Sequence, residues 1–283
     1  MRLAHPALLT FLLFALLVMR PLAAEAAENG RFVVLPVQVK SAEMRAEARK
    51  MHDSGALQDI ATALSAIFVL PRNIGMRFAE CGEANAYYDP ETKEISMCLE
   101  LMAGMAETLE GQFEDDDSTA NALAGAFMAV VLHEAGHALV DVLEIPVTGR
   151  EEDAVDQLSA WILIEADDVD SVRGAAATYY TDDEVADGDF ADEHSLNKQR
   201  YFNLVCWAYG SDPDNQQDLI ETWELPEARA EQCATEYAQL DRSWTRLLKD
   251  HLRENADTSQ VEEAPRGTLG KAIEDAARED AGM

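Results

Sequence analysis

The chain has 283 residues, enough to bury a substantial core in one large domain or two small ones. Lys and Arg number 22 against 54 Asp and Glu, a formal net charge of −32, which argues against nucleic acid and anionic membrane surfaces as partners. The hydrophobic content of 48% and charged content of 27% are those of a soluble globular protein, and the acidic excess reads first as solubility.

In chain order, Arg2 and His5 precede an apolar run from Ala7 to Met19, and small residues follow in "PLAAEAAE". This is the layout of a secretory signal peptide, and the run is too short to span a bilayer. Residues 1–26 are therefore expected to be removed after Ala24, Ala26 or Ala27. A domain over 30–253 would then lie outside the cytoplasm, periplasmic or secreted, with no stable membrane anchor. "RFVVLPVQVK" reads as a short strand. "SAEMRAEARKMHDSG" and "GALQDIATALSAIFVLP" read as helices, and "IGMRFAEC" as a strand. "NAYYDPETKEISMC" has two short runs around Asp89-Pro90-Glu91-Thr92, residues that suit the turn of a β-hairpin.

The acidic loop "GQFEDDDS" leads into "TANALAGAFMAVVLHEAGHALVDVLEIP", one long helix stopped before Pro146. "VTGREEDAVDQLSAWILIEA" is a further helix, and a second acidic loop runs from Thr181 to Glu193. From "NKQRYFNLVCWAYG" to about His251 the pattern is helical, and Trp207 and Trp244 there, like Trp161 in the helix before the loop, read as core. Residues 254–283 thin out in apolar content and are expected to be a disordered acidic tail. The four cysteines, an even number, suit an oxidising compartment. Three pairings are possible, and the grouping along the chain favours Cys81–Cys98 and Cys206–Cys233. No C-x-x-C pair is present, which excludes a zinc ribbon or a thioredoxin-type motif.

The chemistry concentrates in the long helix, where His133-Glu134-Ala135-Gly136-His137 is H-E-x-x-H. Residues four apart share a helix face, so both imidazoles reach one ion, while Glu134 points beside it where it can hold a water. The bland reading, two satisfied core histidines, leaves Glu134 as a buried charge with no nearby cation, and that is unfavourable. Catalytic zinc takes three protein ligands and keeps one position open. Val140 and Leu143 stand where the metzincin pattern needs Gly and His, so that class is excluded. In the following helix Thr148 and Glu151 are spaced as a capping box, which leaves Glu152 free. Glu152 and Asp156, four apart, suit a metal ligand and a carboxylate that orients a ligand histidine through its second nitrogen. The competing reading is an acidic first turn favoured by the helix dipole.

With H-E-x-x-H followed by Glu-x-x-x-Asp, the chain resembles the gluzincin metallopeptidases. More closely, it resembles a bacterial family of exported metallopeptidase-like proteins with no assigned substrate. The likeness rests on "HEAGHALVDVLEIPVTGREEDAVDQ", "CGEANAYYDPETKEISMCLEL", "EHSLNKQRYFNLVCWAYGSDP" and "RAEQCATEY". It implies His133, His137 and Glu152 as ligands of one Zn2+, Glu134 as general base, and a peptide or protein substrate. "AYYDPETKEISM" is the expected edge strand for binding an extended peptide. His194, with Tyr201 behind it, is the best available oxyanion donor, though it also reads as a surface histidine at a helix start. Asp141 reads either as a further support of His137 or as a solvated or capping residue. The expected fold is one α+β, mostly helical, zincin-like domain with a small sheet and hairpin before the H-E-x-x-H helix. Two competing functions remain: an inactive zinc-containing protein that binds peptides, and a structural protein with an accidental motif.

Overall fold

Four short strands form one mixed sheet in the computed structural model, which describes residues 30–180 and 185–253. The expected signal segment with its cleavage site, and the tail 254–283, lie outside these residues. The strands are β1 (Phe32–Val34), β2 (Ile74–Ala79), β3 (Ala86–Asp89) and β4 (Glu94–Cys98), in the order β1-β2-β4-β3. β1 pairs parallel with β2, and β2 parallel with β4 in the register Met76 to Ile95 and Phe78 to Met97. β3 returns antiparallel along β4 and forms one outer edge. The central strand β2 is almost wholly apolar because both of its faces are covered.

The hairpin turn forms as its residues dictate. Asp89 accepts hydrogen bonds from the backbone of Glu91 (2.8 Å) and the Thr92 hydroxyl (2.9 Å), and Lys93 takes the left-handed conformation at φ 60°. Helices α1 (Glu43–Asp53) and α2 (Ala56–Ile67) link β1 to β2 and pack against them. Helix α3 (Leu99–Leu109) follows β4 directly.

Helix α4 (Asp116–Val142) organises the rest. The Asp115 side chain caps its first turn by accepting from the Ser118 N–H at 2.7 Å, and Asp116 and Asp117 complement the positive end of its dipole. Glu144, at φ 53°, turns the chain out of it, and the Ile145 N–H returns to the Val140 carbonyl at 3.0 Å. The helix is long and apolar enough to cross a membrane, but 89% of its apolar window is buried inside the protein, so it is a core helix. On one side it covers β3 and β4, and Phe127 stacks against Phe78 of β2 with ring centroids 5.9 Å apart. On the other it meets α5 (Glu151–Glu165) and α6 (Val169–Thr178). Helices α7 (Asn197–Ser211), α8 (Asp218–Glu221) and α9 (Glu227–Leu248) complete the bundle, and Trp161, Trp207 and Trp244 are buried in it.

The expected α+β, mostly helical architecture is present, with the hairpin ahead of the H-E-x-x-H helix. Both favoured disulfides are formed. Cys81–Cys98 ties the exit of β2 to the end of β4, and Cys206–Cys233 ties α7 to α9. Each closes a loop worth roughly 3 kcal/mol in the chain-entropy account. Two helices, α3 and α6, fall in stretches to which the sequence reading assigns no element. One expectation is overturned: Thr148 is not an N-cap. Arg150 occupies that position and α5 starts at Glu151, because Thr148 and Gly149 form a bend and Arg150 is extended. The capping box is therefore absent and the Glu151 carboxylate is free for other use.

Close helix contacts depend on missing side chains. A Cβ on Gly174 of α6 would lie 2.4 Å from the Ala122 carbonyl oxygen, and one on Gly125 of α4 would lie 2.6 Å from the Ser171 Cα. Gly174→Ala is expected to destabilise the protein by about 1–3 kcal/mol through overpacking, despite alanine's better helix propensity. Urea unfolding measures this, and an unchanged midpoint would contradict the tight α4–α6 contact.

Candidate metal centre

His133 and His137 sit one turn apart in the buried half of α4, with their rings edge-on at 5.0 Å between centroids. Opposite them is the first turn of α5. The approach of the two helices is set by Gly136, where a Cβ would lie 2.9 Å from the Val155 Cβ. That contact brings Glu152, one turn before Val155, up to both rings. Glu152 Oε2 lies 3.1 Å from His133 Nε2 and 3.3 Å from His137 Nε2. A third ring arrives from the segment before α7: His194 Nε2 lies 3.0 Å from the same oxygen. One donor atom each from His133, Glu152 and His194 lies within 4.8 Å of the others, close enough to share a metal ion.

The opposite nitrogens are also held. Asp156 Oδ1 faces His133 Nδ1 at 2.8 Å, Glu151 Oε1 faces His137 Nδ1 at 2.8 Å, and Asp192 Oδ1 faces His194 Nδ1 at 3.1 Å. A carboxylate at Nδ1 takes that proton and leaves Nε2 with its lone pair for a cation, the arrangement by which proteins orient metal-binding histidines. Asp156 is held in turn by Arg200, whose Nε and Nη2 donate to it at 2.8 and 2.7 Å, and the Arg200 guanidinium lies 4.1 Å over the Tyr179 ring.

The electrostatics follow from this packing. Burial pulls the His133 imidazole down, but hydrogen bonds to Asp156 and Glu152 outweigh it and raise the ring to about 9. His137 is raised as well: burial lowers it, and Glu152 and Glu151 more than compensate. Glu152 is opposed by burial yet held well below the usual carboxylate range by the three imidazoles. Glu134 differs from the other carboxylates. It is 7% exposed, makes no hydrogen bond among the described residues, and is raised by burial against the partial opposition of His133 and His137. Three imidazoles around one carboxylate oxygen, beside a buried and unpaired carboxylate, form a donor set suited to a divalent cation with a proton acceptor next to it.

Every residue singled out in the sequence therefore has a place. His133, His137 and Glu152 converge, Asp156 supports His133, and Glu134 lies beside them. His194 joins the convergence at Glu152. Tyr201 does not join it, since its hydroxyl donates to the Trp223 carbonyl at 2.7 Å within an aromatic cluster. Asp141 does not support His137 either; it accepts from Lys93 Nζ and the Tyr88 hydroxyl, both at 2.5 Å, and so fastens the hairpin to α4. Glu151, Asp192 and Arg200 are the members that sequence reasoning missed. The need of buried Asp156 for a cation was the one available hint of Arg200.

Asp156→Asn removes the negative charge behind His133 and is expected to weaken divalent-metal binding ~10–100-fold, measured by competition with a chromophoric chelator. An unchanged affinity would separate Asp156 from the site. The second expectation concerns pH. His133 stands at about 9 against an ordinary 6.5. Its protonated form therefore adds stability to the metal-free protein that is complete below pH 6.5 and lost as pH rises to about 9. The melting temperature of chelator-treated protein should fall across that interval, while a divalent metal ion, which needs the neutral ring, should bind more tightly. A flat melting profile there would contradict the His133–Asp156–Glu152 contacts.

A protein-family model described as "Putative metallopeptidase" matches residues 37–248, about three quarters of the chain and all of the residues that converge here. No curated protein and no solved structure matches significantly. The extent of that match and the geometry that it encloses lead to one assignment: the chain belongs to the "Putative metallopeptidase" family.

Proposed function

We propose that this protein is an exported zinc-dependent peptidase that hydrolyses peptide bonds, with His133, His137 and Glu152 as metal ligands and Glu134 as general base. The observation that carries the reading is the convergence of His133 Nε2 and His137 Nε2 on Glu152 Oε2 at 3.1 and 3.3 Å, beside an unpaired buried carboxylate. Nitrogen and carboxylate donors suit zinc, and each imidazole's second nitrogen is held by a carboxylate as zinc-binding histidines require. The two disulfides suit an oxidising, extracytoplasmic compartment.

His133, His137 and Glu152 would hold a zinc ion, which when bound would supply polarisation of a scissile carbonyl and a lowered pKa for a water. The chain's own residues do the rest. Glu134, raised by burial, accepts the water's proton on a carboxylate oxygen and passes it to the departing amine. Asp156 and Glu151 fix the tautomers of His133 and His137, and Arg200 keeps Asp156 ionised and in place. The outer strand β3 lies against α4 and has an edge unpaired among the described residues, along which an extended peptide can add as a further strand.

Glu134→Gln removes the proton acceptor and leaves the ligands intact. It should retain about one zinc per chain and lose at least ~100-fold in hydrolysis of a peptide library, in keeping with the usual contribution of a general base. Undiminished peptide cleavage in this variant would sink the assignment of Glu134. Full zinc content with no hydrolysis by the wild type would instead favour a peptide-binding protein.

A further inference from the structure

We propose that His194 is a fourth protein ligand of the same metal, carried on the segment 189–196, so that the resting centre is closed and water or substrate enters only when His194 lets go. This rests on the metal assignment above and goes beyond it. Ligand atoms ~2.0–2.1 Å from a tetrahedral zinc stand roughly 3.3 Å from one another. From Glu152 Oε2, the Nε2 atoms of His133, His137 and His194 lie at 3.1, 3.3 and 3.0 Å, so His194 stands as near the carboxylate as the two helical histidines do, and donor atoms of His133, Glu152 and His194 lie within 4.8 Å of one another. Its ring lies nearly parallel to that of His133, 22° apart with centroids 6.1 Å apart.

His194 is also prepared in the same manner. Asp192 holds its Nδ1 at 3.1 Å, matching Asp156 at His133 and Glu151 at His137. The Asp192 carboxylate also accepts the His194 backbone N–H at 2.8 Å, which fixes the local turn. Arg150 donates to the His194 carbonyl at 3.1 Å, and the Ser195 hydroxyl donates to Asp153 at 2.6 Å. Arg150 and Asp153 flank Glu152, so the end of α5 that presents the carboxylate also positions the third ring. Unlike His133 and His137, His194 lies on an irregular segment, half-buried, and can withdraw without unfolding a helix. A four-ligand tetrahedral site has no place for water, which is the closed condition of a structural zinc. Release of His194 from the ion would make that closure reversible.

Zinc X-ray absorption on the full wild-type chain carrying one zinc counts the imidazoles directly. Three are expected, and two would overturn the proposal without recourse to any variant. His194→Ala, with folding checked by its metal-free melting curve, should weaken zinc by more than ~100-fold, beyond the 10–100-fold that loss of a supporting partner costs. With Co(II) in place of zinc, the variant's visible bands should shift as water replaces the ring, and they should become dependent on pH as that water ionises. Unchanged zinc affinity and Co(II) spectrum, with hydrolysis alone reduced, would make His194 an oxyanion donor and overturn the proposal. A wild-type chain that takes up no zinc would instead overturn the metal assignment itself, before His194 comes into question.

Discussion

One carboxylate oxygen, Glu152 Oε2, faces three imidazole nitrogens, and the architecture around it can be understood as the means of holding that contact. Such a cluster is costly to bury. Each ring must surrender hydration, and the carboxylates around the centre would repel one another if the rings were displaced. The structure offsets this by giving every polar atom a designated neighbour: Asp156, Glu151 and Asp192 behind the rings, and Arg200 behind Asp156. Glu134 is the exception, and a buried carboxylate without a hydrogen bond is unfavourable unless it has work to do.

The scaffold supplies rigidity where the contact needs it. Gly136 lets α4 and α5 approach until Glu152 reaches both helical histidines. Ser159 of α5 donates to the Ala129 carbonyl of α4 at 2.8 Å, a second fastening two turns further along. On the far side of α4, Asp141 grips Lys93 and Tyr88, so the hairpin and the histidine-bearing helix move together. The outer strand and the metal centre thus have a constant spacing, which a peptide laid along that strand would inherit.

Much of this was legible because it is local. H-E-x-x-H fixes two ring positions on one face, Glu-x-x-x-Asp fixes the next carboxylate and its neighbour, and Asp-Pro-Glu-Thr marks the hairpin turn. These patterns depend on the period of a single element. What could not be read depends on the meeting of separate elements. Arg200 lies 44 residues from Asp156, and no local pattern announces the pair. Glu151 was misassigned because Thr148 and Glu151 have capping-box spacing, whereas Thr148 lies in a bend and Arg150 is the N-cap. Helices α3 and α6 were left unassigned although each is amphipathic; both are short, and segments of that length owe their helicity to packing, here against α4.

The burial of α4 has a consequence for biogenesis. For the export proposed above, the apolar part of a 27-residue helix threaded through a translocon in an extended state would be at risk of lateral release into lipid as a stop-transfer helix. His133, Glu134 and His137 fall in its C-terminal half and Asp141 near its end, where ionisable groups make partitioning into hydrocarbon unfavourable. The residues that assemble the centre after folding would thus also help to keep the nascent segment moving towards the aqueous side.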